Sequence, residues 1–251
     1  MDLKVAPEGG FQTAGERETG KNIERVFLAC PDPVEVKLNN FTKYIRRQKL
    51  TRLLALYEIF KRILPVKGSI VECGVYQGFS LMAWANMSAV LEPANLTRRI
   101  YGFDSFEGFP AVGAKDRNRL METAPRQLFA DSFEELSELI RIYDTNRFLG
   151  HIGKVSLVRG NVMETIPRFL QENDHVLVSL LFLDMDLYEP TKLAIESFFP
   201  RMPKGAIIAF DELDNPIWPG ETRALLDTVE AGRLRMERVE FDPYIGFAVI
   251  D

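Results

Sequence analysis

Ser179-Leu180-Leu181-Phe182-Leu183-Asp184-Met185-Asp186-Leu187-Tyr188 is the stretch from which the fold is read. From Ser179 to Leu183 it is almost wholly apolar. A run that short and that apolar reads as a strand buried on both faces, as in a parallel sheet. It stops at two carboxylates, and the carboxyl ends of parallel strands are where open α/β sheets hold ligands. A second run, Gly205-Ala-Ile-Ile-Ala-Phe210 followed by Asp211-Glu212, repeats the layout. Two adjacent strands ending this way bring Asp184, Asp211 and Glu212 around one point, which reads as a divalent-metal site.

Outward from these runs the chain alternates. Ser69 to Cys73, Arg99 to Phe103 and Val155 to Val158 read as three earlier strands, with helices over Phe79–Met87, Ser132–Asp144, Thr165–Glu172 and Thr191–Phe199. Asp227 to Gly232 closes a further helix. Met236 to Phe241 and Ile245 to Ile250 suit two last strands. Their connection at Asp242-Pro243-Tyr244 is too short for a crossover, so that pair must run antiparallel. The expectation is an α/β fold: a seven-stranded sheet, mostly parallel, with one antiparallel closing strand. Residues 65–251 would form this domain and residues 1–64 an arm and helical extension.

In that extension, residues 1 to about 20 read as a flexible arm or lid, or simply a frayed terminus. From Asn39 to Leu64 apolar residues recur at three- and four-residue steps, and Pro65 ends the helix. Lys43, Arg46, Arg47, Lys49 and Arg52 cluster at its start. A solvated helix face accounts for them; a phosphorylated substrate is the functional alternative.

Composition narrows the classes. The chain has 251 residues and a formal net charge of -5, which argues against a nucleic-acid footprint spread over the surface. Two cysteines, Cys30 and Cys73, are too few for a disulfide scaffold. No signal peptide and no membrane-length apolar stretch is read, so a cytoplasmic protein with no membrane partner is expected. A homo-oligomer is expected as well.

Between the first strand and its helix lies Glu72-Cys73-Gly74-Val75-Tyr76-Gln77-Gly78-Phe79-Ser80. Glycines at this point let backbone approach a ligand, and a helix N-terminus follows. The dinucleotide fingerprint is absent; the pattern is E-x-G-x-x-x-G. Glu72 stands where a carboxylate holds a cation or hydroxyl, which favours a ligand with an amino-acid end. Asp104 closes the second strand about thirty residues after Gly74. An acid there accepts hydrogen bonds from ribose hydroxyls. Together these residues point to S-adenosylmethionine. Glu72, Gly74, Tyr76, Gly78, Ser80, Asp104, Ser105 and Asp184 are the expected cofactor contacts. Arg159 and Asn161 form either its adenine-facing edge or a solvent turn.

Glu72-Cys-Gly74-Val-Tyr-Gln-Gly78, Phe103-Asp-Ser-Phe-Glu-Gly-Phe-Pro110 and Leu183-Asp-Met-Asp-Leu-Tyr188 occur in this order. They resemble the macrocin O-methyltransferase family, the TylF and MycF group, over roughly residues 68 to 228. Asn40 to Arg52 looks more like the members that act on nucleotide-linked deoxysugars, among them the calicheamicin rhamnose methyltransferase. The resemblance implies a class I methyltransferase (Rossmann-like) fold, S-adenosylmethionine, a magnesium ion, and methylation of a sugar hydroxyl in natural-product or antibiotic biosynthesis. Two departures stand out. Asp211-Glu212 replaces the family's usual pair of aspartates, and Met185 stands in place of a glycine.

Asp184, Asp211 and Glu212 offer hard oxygen ligands, which suit Mg²⁺ rather than zinc. Asp184 is thus both a metal ligand and a catalytic residue, and Asp186 is the candidate general base. A bound ion would acidify and orient a sugar hydroxyl. Asp214 is a nearby spare carboxylate. Tyr188 either lines the sugar site or packs on the next helix. Trp218 is a candidate acceptor lid, Trp84 a core residue, and His151 and His175 are surface groups. A catechol-type methyltransferase and a non-catalytic nucleoside-binding protein of the same fold are the rival readings.

Overall fold

The computed structural model of the chain describes residues 4–5, 11–108, 113–116, 130–229 and 231–251. The expected flexible arm is in its second half a helix, α1 (Ala14–Ala29). Its start is fixed by a reciprocal cap. Glu16 N–H donates to Thr13 Oγ1 at 3.2 Å, and Thr13 N–H donates to the Glu16 carboxylate at 3.0 Å. No residue of α1 is buried, so no apolar periodicity marked it. Ahead of it, Lys4–Val5 pairs antiparallel with Phe11–Gln12. Residues 1–3 and 6–10 of the expected arm lie outside the described residues, as do Phe109 and Pro110 of the second motif.

Of the helix expected from Asn39 to Leu64, α3 (Arg47–Ile63) is found, preceded by a short turn at Phe41–Lys43 and by a separate α2 (Val34–Asn39). One face of α3 buries Ala55, Leu56, Ile59, Phe60 and Ile63. Arg98, only 2% exposed, donates to the carbonyls of Ile63 at 2.9 Å, Val66 at 2.9 Å and Gly68 at 3.1 Å. The last carbonyls of a helix lack partners of their own. Arg98 therefore pins the C-terminal end of α3 to the start of the sheet. The other end of α3 is left at the opposite edge, where the strands finish.

The sheet runs in chain order through β1 (Ser69–Cys73), α4 (Phe79–Leu91), β2 (Ile100–Asp104), α5 (Phe133–Thr145), β3 (Val155–Arg159) and α6 (Val162–Glu172). It continues through β4 (Val178–Leu183), α7 (Tyr188–Phe198), β5 (Ile207–Phe210), α8 (Gly220–Thr228), β6 (Met236–Arg238) and β7 (Gly246–Val249). Strand order is β3-β2-β1-β4-β5-β7-β6. β7 runs antiparallel to both neighbours, and the remaining pairs are parallel. The expected seven-stranded sheet with one reversed strand is what is found.

Every residue of β1, β4 and β5 is buried, Ser69 and Glu72 of β1 and Ser179 of β4 included, as strands covered on both faces require. Alternate residues feed two cores. Ile70, Leu180, Phe182 and Ile207 pack on one face with Leu56, Phe60 and Trp84. Val71, Leu181, Leu183 and Ile208 pack on the other with Ile166, Ile195 and Leu225. The chain steps outward from β1 to β3, then returns to start β4 on the other side of β1. That reversal opens a crevice at the carboxyl ends of β1 and β4.

Candidate active site

Strand register decides what meets in the crevice. Cys73 lies opposite Leu183, and Leu183 opposite Phe210. The next residues, Gly74, Asp184 and Asp211, therefore emerge side by side. Asp184 N–H donates to Cys73 O at 2.9 Å and Asp211 N–H to Leu183 O at 2.9 Å, so the ladders continue into the acids. Gly74 has φ +95°, and a Cβ there would overlap the Asp184 carbonyl. Only glycine lets these two turns touch.

A cavity of about 1190 Å³ covers the strand tips. Small-molecule pockets run from roughly 300 to 1,000 Å³, so there is room for two reactants. Gly74, Tyr76, Asp104, Ser105, Arg159 and Asn161 line its β1–β3 side, and Asp184, Asp186, Asp211, Glu212 and Arg52 its β4–β5 side.

On the first side Asp104 organises the glycine turn. Its Oδ2 accepts from Val75 N–H at 2.7 Å and Tyr76 N–H at 2.8 Å, and its Oδ1 from Phe106 N–H at 2.7 Å. Those bonds hold Tyr76 at φ +51°. The Tyr76 carbonyl in turn accepts from the Ser132 hydroxyl. Ser105 Oγ donates to Gly108 O at 2.9 Å. Asn161 caps α6 by accepting from Met163 N–H at 3.1 Å. Arg159 lies 5.0 Å from the centre of the Phe133 ring.

Two expected contacts are corrected. Glu72 is fully buried and faces α4, not the cavity. It accepts from Ser80 Oγ at 2.9 Å and Trp84 Nε1 at 2.7 Å. Burial pushes its carboxyl up to about 8, against the pull of those two donors. The alternation of a strand explains the miss: Glu72 shares its face with Ile70, which points into the core under α4. Gly78 (φ +79°) starts α4 beside Leu136, where a Cβ would collide, so it serves packing against α5. Ser80 does line the cavity while donating to Glu72.

On the second side the carboxylates do not stand around an open point. Arg52 of α3 reaches between them. Its Nη2 donates to Asp184 Oδ2 at 2.9 Å and its Nη1 donates to Asp211 Oδ1. Burial works against the guanidinium charge, but Asp211 and Asp184 outweigh it and keep the group protonated. The basic cluster is thus not simply a solvated face. Glu212 turns toward its own loop and accepts from Asn215 Nδ2 at 2.8 Å. Burial, then the Asp186 charge, pushes Glu212 up to about 10. Burial, then Asp211, pushes Asp186 up to about 7 and raises Asp184 well above the usual range. The donor chemistry suits a hard divalent ion, but this arrangement does not. Among the described residues no group of three or more His, Cys, Asp or Glu side chains is placed to hold one.

Sequence reasoning missed Glu221. Fully buried in the first turn of α8, it accepts from Met185 N–H at 3.0 Å, Asp186 N–H at 3.3 Å and Glu212 N–H at 3.3 Å. One carboxylate so ties together both acid-bearing turns. Asp186 sits at φ +60°, and a Cβ on Gly220 would overlap its carbonyl. The start of α8 therefore fixes the backbone of Asp186. Asp116 does the same one step on, accepting from Tyr188 N–H at 2.6 Å. No motif spacing links Glu221 or Asp116 to Asp186; only the sheet topology does.

Several remaining residues face elsewhere. Tyr188 is buried, its hydroxyl donating to Asp227 at 2.8 Å, which decides for packing over the sugar site. Trp218 is buried and does not line the cavity, so it is no lid. Asp214 is exposed, as are His151 and His175, and Trp84 is core.

The family model described as Macrocin-O-methyltransferase (TylF) matches residues 43–237. The chain belongs to that family. The crystal structure of CalS11, calicheamicin methyltransferase, superimposes with a TM-score of 0.90 at 35% identity, covering 95% of this chain and 93% of that one. The apo structure of CalS11, described as a TDP-rhamnose 3'-O-methyltransferase, gives 0.83 at 34% identity, covering 95% of each. Among curated relatives is the 8-demethyl-8-(2,3-dimethoxy-alpha-L-rhamnosyl)-tetracenomycin-C 4'-O-methyltransferase of Streptomyces olivaceus. It is 33% identical over 158 residues, 59% of this chain and 53% of the relative. The chain spans about half the length of the curated relatives it matches. The TylF-family match includes every residue named for the cavity, Arg52 among them. No helix among the described residues is long and apolar enough to cross a membrane.

Proposed function

We propose that this TylF-family protein transfers the methyl group of S-adenosylmethionine to a hydroxyl of a deoxysugar carried on a nucleoside diphosphate, in natural-product biosynthesis. The observation that carries the reading is the two-sided cavity. A backbone-lined glycine turn with Asp104 lies on one side of the switch point, and buried strand-tip carboxylates lie on the other. The first side suits a nucleoside with an amino-acid tail, bound at Gly74 and Asp104. The second suits a polyol.

Arg46, Arg47 and Lys49 line the cavity beyond Arg52. Arg47 pairs with Glu16 at 3.0 Å, which brings the start of α1 to the same rim. Three cations beside a cavity larger than one ligand favour a diphosphate-bearing acceptor over a neutral glycoside. The names of the CalS11 structure and of the rhamnosyl-modifying relative point the same way.

In the proposed reaction Asp186 takes the proton of the sugar hydroxyl. Its value near 7 is matched to that task at neutral pH. The oxygen then forms a bond to the methyl carbon as the carbon–sulfur bond breaks. The electron pair stays on sulfur, leaving the neutral thioether. Positioning both reactants over the Gly74–Asp184 contact supplies most of the acceleration. Mg²⁺, implied by the family resemblance, would supply Lewis-acid polarisation of sugar oxygens if Asp184 and Asp211 held it, but both are engaged by Arg52.

The test is product formation from S-adenosylmethionine with TDP-rhamnose, a free rhamnoside or a catechol, each with and without EDTA. Methylated TDP-rhamnose is the expected product. Turnover only on the free rhamnoside defeats the nucleotide-linked reading, and turnover only on the catechol defeats the sugar. Turnover indifferent to EDTA removes the Mg²⁺ requirement. Tight cofactor binding with no product on any acceptor points to a binding protein.

A further inference from the structure

The disagreement between an all-oxygen donor set and its arrangement is informative in itself. Two neighbouring parallel strands lie about 4.8 Å apart, so register alone forces Asp184 and Asp211 close together. Two carboxylates at that separation, drawn out of water, cannot both carry charge without a counter-cation. The chain provides one. Arg52 makes one contact to each acid, on two different strand tips. Its guanidinium lies 5.9 Å from the centre of the Phe182 ring, and its side chain is 21% exposed. α3 delivers it there because Arg98 pins the other end of that helix.

We infer that Arg52 is the resident cation of this site, and that a divalent ion reaches the oxygens of Asp184 and Asp211 only by displacing it. The planar fork of an arginine offers a separate N–H group to each acid, where an ammonium is a compact point charge. Its charge lies on oxygens that an ion would also need. Two cations at one pair of carboxylates repel each other, so the affinity of an ion for the protein is reduced by the cost of displacing the guanidinium from both contacts. This places access of an ion to Asp184 and Asp211 under the control of α3. The inference deepens the proposed function, but ion binding is read without turnover, so the two fail separately.

The experiment is Mn²⁺ titration of the full-length protein, with free Mn²⁺ followed by electron paramagnetic resonance. Wild type, Arg52→Gln and Arg52→Lys are compared, each with a circular dichroism spectrum and a Kd for S-adenosylhomocysteine as controls for folding. Arg52→Gln should bind Mn²⁺ at least tenfold more tightly than wild type. Adding Asp184→Asn to it should abolish the gain. Arg52→Lys, which keeps the charge but loses the fork, should fall between. Equal Mn²⁺ affinity in all three proteins, or weaker binding in Arg52→Gln, overturns the inference. If Arg52→Gln fails to fold, the comparison of wild type with Arg52→Lys decides it: tighter binding supports displacement and unchanged binding refutes it.

Discussion

Glu72→Gln separates a buried structural carboxylate from a ligand contact. Gln keeps the volume and offers an oxygen to Trp84 Nε1 and an amide to Ser80 Oγ, so both hydrogen bonds survive. What disappears is the titration. Burial moves the Glu72 carboxyl from an ordinary value of 4.5 to about 8. At about 1.4 kcal/mol for each pH unit, the folded protein carries a penalty of about 5 kcal/mol once Glu72 is ionised. The sign follows from linkage. The folded state holds the proton more tightly, so the associated stability is fully present below pH 4.5 and is lost as pH rises through about 8. Total stabilities are of order 5–15 kcal/mol, so the effect is large. Urea denaturation at pH 5 and pH 8.5 reads it. The variant should match wild type at pH 5 and be more stable by several kcal/mol at pH 8.5. The Kd for S-adenosylmethionine should not change. Parallel stability profiles refute the buried, elevated carboxyl; a weakened cofactor Kd restores Glu72 as a ligand contact.

Asp104→Ala strips acceptors from two backbone N–H groups of the glycine turn and from that of Phe106 after β2, each costing about 1–3 kcal/mol if left unpaired. The Kd for S-adenosylmethionine, measured by calorimetry, should rise at least tenfold, and an unchanged value removes Asp104 from the cofactor side. Asp184→Asn should abolish turnover with the cofactor Kd nearly unaltered; equal loss of both in a folded protein contradicts its placement on the acceptor side. Glu221→Gln puts an amide against N–H donors, costing about 1–3 kcal/mol of stability. It should lower kcat about tenfold while leaving KM for S-adenosylmethionine alone, and an unaltered kcat would show that Glu221 does not position Asp186.

The sheet was legible because β4 and β5 are almost wholly apolar runs that only a two-sided core explains. The end of each run was legible too, which located Asp184 and Asp211 correctly at one edge. Side-chain direction was not. Glu72 precedes the turn by two residues, and its face of the strand belongs to the core. Arg52 reads as one cation in a cluster of five. Its position relative to Asp184 is set by α3 docking across 132 residues of sequence separation, which no local pattern carries. Glu221 is hidden in the same way. It sits in an ordinary first turn, where acids are common for reasons of helix dipole alone. Only the return of α8 to the strand tips gives it three N–H partners.

The charge balance of the acceptor side bears on where catalysis comes from. Asp184, Asp186, Asp211, Glu212 and Glu221 crowd one edge, and Arg52 pairs with two of them. Burial raises Asp184, Asp186, Glu212 and Glu221, so only the charge left beyond Arg52 attracts a sulfonium, and it has no comparable hold on the neutral thioether left after transfer. It therefore favours cofactor capture and product release. It cannot drive the methyl transfer itself, because the positive charge it stabilises is being lost as the carbon–sulfur bond breaks. Acceleration must then come from groups whose interactions grow along the reaction. In the proposed reaction Asp186 is one, since its carboxylate meets a proton that becomes more acidic as the oxygen attacks. Alignment of the two reactants is the other. The proposed base is also the one among these acids held in a left-handed backbone conformation, wedged by Gly220 and tied by Glu221. An acid that only supplied field could tolerate displacement, whereas a base within reach of one hydroxyl cannot.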